Sequence, residues 1–328
     1  MVIFLMQRGI FMLKVYKSDC YTGTLRECAV ESLEKGAWFN LINPTTMELT
    51  TVATAANVPL DILKAALDEE ERSRTEIEDT CTLVITNVPI MRDKASYDTL
   101  PLGIVLTKDY IITVCLENNE VLSEFNCCNS KLFSTFKKTR FLFQILYKSA
   151  TLYLRYLRQI SRLTDDIERE LRRSMRNEGL FQLLELQKGL TYFNVSLRSN
   201  GVVMEKLLRL RSNNNLQSII KMFEEDEDLL EDVIIENKQA QEMVEMYSRI
   251  LTGMVDTFAS IISNNLNIVM KFLASMTIIL AIPTMISSFF GMNVDVPFGD
   301  NNGFLYTTMI ALSCTAMTAF VLWKKNMF

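Results

Sequence analysis

Residues 272–294, FLASMTIILAIPTMISSFFGMNV, run for 23 positions without a charge, and residues 301–323 give a second charge-free run of the same length. A bilayer's hydrocarbon core is about 30 Å thick and a helix rises about 1.5 Å per residue, so roughly 20 apolar residues cross it. Both runs satisfy that length, which predicts two membrane-spanning helices joined by a short loop. A charged fraction of 22% and a mean hydropathy of +0.14 are too polar for a protein made only of spans. Most of the charge precedes residue 271, so a water-exposed part of substantial size comes first.

Orientation follows from the basic residues, because Lys and Arg near span ends favour the cytoplasmic side. Lys271 precedes the first span, and Lys324 and Lys325 follow the second. The loop between them, Gly291 to Gly303, carries Asp295 and Asp300 but no Lys or Arg. Both termini are therefore expected inside, with the three lysines at a basic cytoplasmic entrance and the protein in the cell membrane. The N-terminal MVIFLMQRGIFMLKVY reads as strand material and not as a signal peptide, since Arg8 interrupts it and no small-residue cleavage site follows.

Several function classes lose support at once. A net charge of −5 gives no footing for nucleic acid. The chain has no histidine, and its seven cysteines show no CxxC spacing, so a zinc site is not indicated and the thiols read as reduced core residues. No phosphate-cradling glycine loop or His-containing triad is present, so nothing points to an enzyme or to an organic cofactor.

The chain before the spans divides by composition. Up to about residue 130, β-branched and aromatic segments at Phe11 to Tyr16, Ala37 to Ile42, Cys81 to Met91 and Gly103 to Leu116 read as strands. Helix starts at Pro44-Thr45-Thr46 with Glu48, and at Pro59 to Leu67, alternate with them, which predicts an α/β domain over 1–130. No proline occurs between Pro101 and Pro283, and long helices are expected at about 137–176, 179–211 and from 216 onward. The resulting plan is a helical hairpin over 131–221, a stalk helix over 222–270, spans over 271–292 and 304–323, an outer loop over 293–303 and a basic tail over 324–328. A helix unbroken from Met222 to Phe290 would be roughly 100 Å long. Its apolar residues Leu229, Val233, Met243, Tyr247, Ile250, Met254, Phe258, Ile261 and Ile262 make a packing stripe.

Two spans per chain cannot enclose a water-filled path, so transport would require several copies around an axis. Ser and Thr in spans mostly bond to carbonyls of their own helix or glue neighbours together. Asn267, Thr277, Thr284 and Asn293 nevertheless share one face of the first span with Met270, Leu273 and Ala281, and that face is assigned to the axis. Met270 and Leu273 would form a constriction that closes by dewetting. The span holds no Asp, Glu, His or Cys with which to strip and ligate a transition metal. Mg²⁺ sheds its water reluctantly, so rings of neutral oxygens that hydrogen-bond the hydrated ion suit it.

Gly291-Met292-Asn293 at the end of the penultimate span, a short acidic loop, a second span and a lysine-bearing tail resemble the CorA family of magnesium transporters. The α/β domain and the long helix entering the first span extend that resemblance over most of the chain, and Asn267-Ile268-Val269-Met270-Lys271 is similar to the family's pore entrance. The resemblance implies a funnel-shaped homopentameric channel that passes Mg²⁺ down the membrane potential, with Gly291, Met292 and Asn293 as selectivity filter. It also implies gating by Mg²⁺ bound between cytoplasmic domains of neighbouring subunits, and counting back from the filter places Asp232 in that role. Asp232 ends the run Glu224 to Asp232, which by itself reads as a solvated helix start. The partner carboxylate on a neighbouring subunit would be Asp68 or Glu69. The other readings are a relative that carries Co²⁺, Ni²⁺ or Zn²⁺, and a membrane-anchored divalent-cation sensor that does not conduct.

Overall fold

The computed structural model describes residues 13–19, 23–28, 34–174, 177–210, 220, 222–292, 303–325 and 327, which form two compact units dividing between Thr252 and Gly253. The first unit is built on a seven-stranded sheet of order β2-β1-β3-β7-β6-β5-β4. Its strands are β1 (Leu13–Ser18), β2 (Leu25–Cys28), β3 (Trp38–Ile42), β4 (Arg74–Ile77), β5 (Cys81–Asp93), β6 (Ser96–Thr107) and β7 (Ile111–Cys115). Among the described residues only the β3–β7 pair is parallel. The predicted strands at 11–16, 37–42 and 81–91 correspond to β1, β3 and β5, although Phe11 and Met12 lie outside the described residues.

The segment expected as one strand from Gly103 to Leu116 is instead the second half of β6, a turn, and β7. The polar pair Lys108-Asp109 interrupts the apolar run there, and the Tyr110 amide donates to Thr107 Oγ1 at 2.9 Å while the Thr107 amide donates to the Tyr110 carbonyl at 2.9 Å. Two short edge strands, β2 and β4, carry too few residues and too many charges to show an apolar alternation.

Helices cover both faces of the sheet. On one face lie α1 (Thr46–Ala56) and α2 (Leu60–Lys64), whose Leu49, Val52 and Leu63 pack with Phe39, Ile85 and Val105. The start of α1 has its sequence signature in place: the Thr45 side chain accepts from the Glu48 amide, and the Glu48 carboxylate accepts from the Thr45 amide. On the other face lie α4 (Lys138–Ser174) and α5 (Asn177–Arg209), after the one-turn α3 (Glu120–Ser123). Phe141 of α4 meets Trp38 edge-on at 5.1 Å, and Phe193 of α5 meets Tyr97 at 6.0 Å. Gly189 lets α5 approach β6, because a Cβ there would come within 2.9 Å of Tyr97 Cβ and 3.1 Å of its carbonyl oxygen. The Arg-rich segment at the end of α4 is a solvated face, with Arg169 paired to Asp166 and Arg172 to Glu168.

Buried polar groups lock α5 to the sheet. Asn200, 1% exposed, donates from Nδ2 to the Asn87 carbonyl at 2.8 Å and accepts at Oδ1 from the Asn87 amide at 2.9 Å and from the Ser73 hydroxyl at 2.7 Å. The Tyr153 hydroxyl of α4 donates to the same Asn87 carbonyl at 2.9 Å. Burial with no compensating charge pushes the Tyr153 hydroxyl pKa well up, so it remains a donor.

The last two helices are α6 (Glu224–Phe290), 67 residues long, and α7 (Gly303–Lys324). The buried stripe at the beginning of α6 is not the one expected. It runs through Leu230, Val233, Asn237, Ala240, Val244 and Leu251, one position off the bulky set, of which only Val233 and Phe258 are buried. Close packing selects the small Ala240, and the Asn237 amide donates to the Leu197 carbonyl of α5 at 3.0 Å, two features that weighing bulky side chains passes over. The reading of the cysteines as core thiols also needs correction. Cys81 and Cys115 are buried, and burial pushes the Cys115 thiol up to about 11. Cys28 is half-buried, whereas Cys127, Cys128 and Cys314 are exposed, and Cys20 lies outside the described residues.

Replacing Asn200 with Ala strands the Asn87 amide and removes a buried partner of Ser73, so Asn200→Ala is expected to destabilise the first unit by roughly 1–3 kcal/mol. Thermal unfolding of the full-length protein in detergent checks this, and Val202→Ala, a change on the same helix at a position 67% exposed, should shift the transition far less.

Candidate ion pathway and cation sites

In the second unit α6 from Gly253 and all of α7 are long and apolar enough to cross a membrane. A backbone in hydrocarbon must satisfy its polar groups internally. Side-chain hydroxyls follow the same economy: Thr277 donates to the Leu273 carbonyl at 2.8 Å and Thr284 to the Leu280 carbonyl at 2.9 Å. In α7, Thr307, Thr308, Thr315 and Thr318 each donate to the carbonyl four residues earlier. Ser275, fully buried, instead reaches across to the Met327 carbonyl at 3.1 Å and ties the segment after α7 to α6. Ser275 lies on the far side of α6 from the face assigned to the axis.

That face is a concave strip on the surface of α6, lined by Thr277, Ala281, Thr284, Ser288 and Met292 with apolar neighbours. The structure therefore brings together Thr277, Ala281, Thr284 and Met292 from the predicted set. Ser288 joins them as a residue not singled out from the sequence, although it continues the same face one turn beyond Thr284. Asn267, Met270 and Leu273 occupy the same helix further back and are exposed, Met270 at 55% and Leu273 at 58%. Because Thr277 and Thr284 commit their protons to carbonyls, each hydroxyl oxygen presents only acceptor capacity to the strip. Pro283, inside the helix, has no N–H to give to the Ile279 carbonyl.

The helix ends at Phe290. The Gly291 amide still donates to the Ser287 carbonyl at 3.0 Å, and the Met292 amide to the Phe289 carbonyl at 3.4 Å. A Cβ on Gly291 would press to 3.2 Å from the Ser287 oxygen, so this tight exit favours glycine. Asn293 and the loop from Val294 to Asp300 lie outside the described residues. Lys271, Lys324 and Lys325 are exposed.

The acidic start of α6 splits into two roles. Asp226, buried, accepts from the Phe223 amide at 3.1 Å, and Arg140 binds Glu225 at 2.7 Å with Asp226 at 3.8 Å, so these two acids cap and anchor the helix. Asp232 is exposed and forms no salt bridge among the described residues. Asp68 and Glu69 are exposed as well, in a turn where Asp68 Oδ1 accepts from the Glu70 amide at 3.1 Å. Among the described residues of the single chain, no three His, Cys, Asp or Glu side chains gather in a way that could hold a metal ion. Asp68, Glu69 and Asp232 therefore do not form a ready-made cation site within one chain.

Residues 34–324 match the family described as CorA-like Mg²⁺ transporter protein. The chain is 26% identical over 299 residues to the cobalt/magnesium transport protein CorA of Methanocaldococcus jannaschii, covering 88% of this chain and 90% of that protein. The fold matches the complete structure of the CorA magnesium transporter from the same organism with a TM-score of 0.81, at 22% identity, over 97% of this chain and 99% of that one. The structure of full-length CmaX matches with a TM-score of 0.70, at 13% identity, over 96% of both chains.

Proposed function

The chain belongs to the CorA-like Mg²⁺ transporter family, and from that premise we propose that it assembles as a homopentameric ring in the cell membrane and passes Mg²⁺ along an axis lined by α6, with both termini in the cytoplasm. The observation that carries this reading is the strip of Thr277, Ala281, Thr284 and Ser288 on the span that leads to Gly291 and Met292. A hydrated Mg²⁺ ion points its water hydrogens outward, so what it meets best is a ring of acceptors. Thr277 and Thr284, their protons already given to helix carbonyls, offer that and nothing else.

In this account Asn293 completes the filter with Gly291 and Met292, and its amide oxygen selects the hydrated ion before it enters. Met270 and Leu273 form the apolar constriction, and Asn267 and Lys271 sit at the cytoplasmic end of the span with Lys324 and Lys325. The driving force is the inside-negative potential, about 2.3 kcal/mol per charge at 100 mV and twice that for a divalent ion. No carboxylate, thiol or imidazole lines the strip, so a transition metal gains no inner-sphere ligand there. Co²⁺, carried by the CorA relative according to its name, would pass as a hydrated ion of the same charge.

Closure is assigned to Mg²⁺ bound between neighbouring subunits by Asp232 with Asp68 or Glu69. Asp232 and Thr284 lie in one uninterrupted helix, which supports a mechanical link from the acid to the axis.

Purified protein in proteoliposomes is expected to take up Mg²⁺, with Co²⁺ and Ni²⁺ as competitors. Asn293→Ala should lose the preference for Mg²⁺ while the ring still assembles, and Thr284→Val should slow uptake where Thr284→Ser does not; normal selectivity in Asn293→Ala rejects the filter assignment. Asp232→Ala should relieve inhibition by Mg²⁺ on the cytoplasmic side. Unchanged inhibition would remove Asp232 from the gate, and absence of flux from assembled wild-type and Asp232→Ala protein alike would favour a non-conducting sensor.

A further inference from the structure

Strands β1 and β3 turn one face to the α1/α2 core, through Val15, Phe39 and Leu41. Their alternate residues stand on the opposite face, where Lys14 pairs across the ladder with Asn40 and Tyr16 with Trp38. There they line a pocket of about 460 Å³ together with Asn118, Leu122, Ser123, Phe125, Asn126 and Cys127. That volume accommodates a ligand of one ring or a short branched chain.

Of the polar groups that line this pocket, Asn118, Ser123 and Asn126 are hydrogen-bonded to one another or to nearby backbone, whereas Lys14, Tyr16 and Asn40 keep donors to spare. Asn40 is 8% exposed, and its Oδ1 accepts from the Thr113 hydroxyl at 3.1 Å, while that hydroxyl in turn accepts from Trp38 Nε1 at 2.9 Å. The Nδ2 hydrogens of Asn40 meet no acceptor among the described residues and are left to the pocket. Open to the cavity, this amide is free to donate to a ligand held there. Lys14 forms no salt bridge among the described residues, and the Tyr16 hydroxyl has no hydrogen bond among them. Burial and the charge of Glu27, opposite on β2, push the Tyr16 pKa up, which keeps that hydroxyl protonated and able to donate. Glu27 is not part of the lining.

We propose that this pocket binds a small organic carboxylate with an apolar body, its oxygens held by Lys14 Nζ, Asn40 Nδ2 and the Tyr16 hydroxyl, and its body resting on Trp38, Ile42 and Phe125. One ammonium beside two neutral donors matches a single negative charge, and the apolar walls match a ring or branched chain better than a bare inorganic anion. The site is separate from the ion pathway and does not depend on the transport reading.

Cys127, exposed and part of the lining, supplies the readout. Full-length protein in detergent, carrying Cys128→Ser, is alkylated with iodoacetamide in the presence of benzoate, benzamide or chloride, and labelling is followed by mass spectrometry of the Cys127 and Cys28 peptides. Benzoate is expected to slow Cys127 labelling severalfold without affecting Cys28, with benzamide and chloride without effect. Lys14→Met, at an exposed position that leaves folding intact, should abolish the protection, as should Asn40→Leu. Equal protection by benzamide would overturn the carboxylate assignment. No protection by benzoate, protection of both cysteines alike, or protection that survives Lys14→Met would overturn the site.

Discussion

A chain that crosses hydrocarbon has to satisfy its backbone within itself, and the rest of this protein's design follows from that demand. In α6 and α7 even the threonine hydroxyls are drawn into it, each donating to the carbonyl one turn back. On the first span this leaves the Thr277 and Thr284 oxygens as acceptors on one face. A hydrated cation, whose water hydrogens point outward, is the cargo we propose for such a face. Ser275 shows the other use of a hydroxyl, since its proton goes to the Met327 carbonyl and ties the segment after α7 to α6.

The water-exposed unit solves a different problem. Its sheet is buried on both faces, so β5 is buried at every position from Cys81 to Ile90, and helices must cover it twice. Asn200 and Asn87 fix α5 against that sheet by hydrogen bonds that leave little freedom of register. Arg140, with Glu225 and Asp226, fixes where α6 begins. The stalk helix thus has a defined origin, and Asp232, two turns on, remains uncommitted on its surface.

Much of this was legible in the residues. Length and the absence of charge identified the spans, the spacing of Thr277, Ala281 and Thr284 identified a face, and Thr45 with Glu48 marked the start of α1. The misreadings share a cause. The stripe on α6 was sought among bulky side chains, whereas packing chose Ala240 and Asn237, whose value depends on what stands opposite. The turn at Lys108-Asp109 was hidden because the flanking residues are equally apolar and β-branched. Ser288 reads from the sequence as one hydroxyl among several in the span, and only the concave surface sets it beside Thr284. The idle amide of Asn40 could not be seen at all, since whether an asparagine is satisfied depends on Thr113, 73 residues away.

The account stands or falls on whether the axis conducts an ion that carries its full charge. Mg²⁺ uptake into proteoliposomes measured against a series of imposed potentials tests this most directly. Conduction predicts uptake that grows as the interior is made more negative and stops at the potential that balances the Mg²⁺ gradient. Uptake that ignores the potential, or none at any potential from protein shown to be assembled, would contradict it.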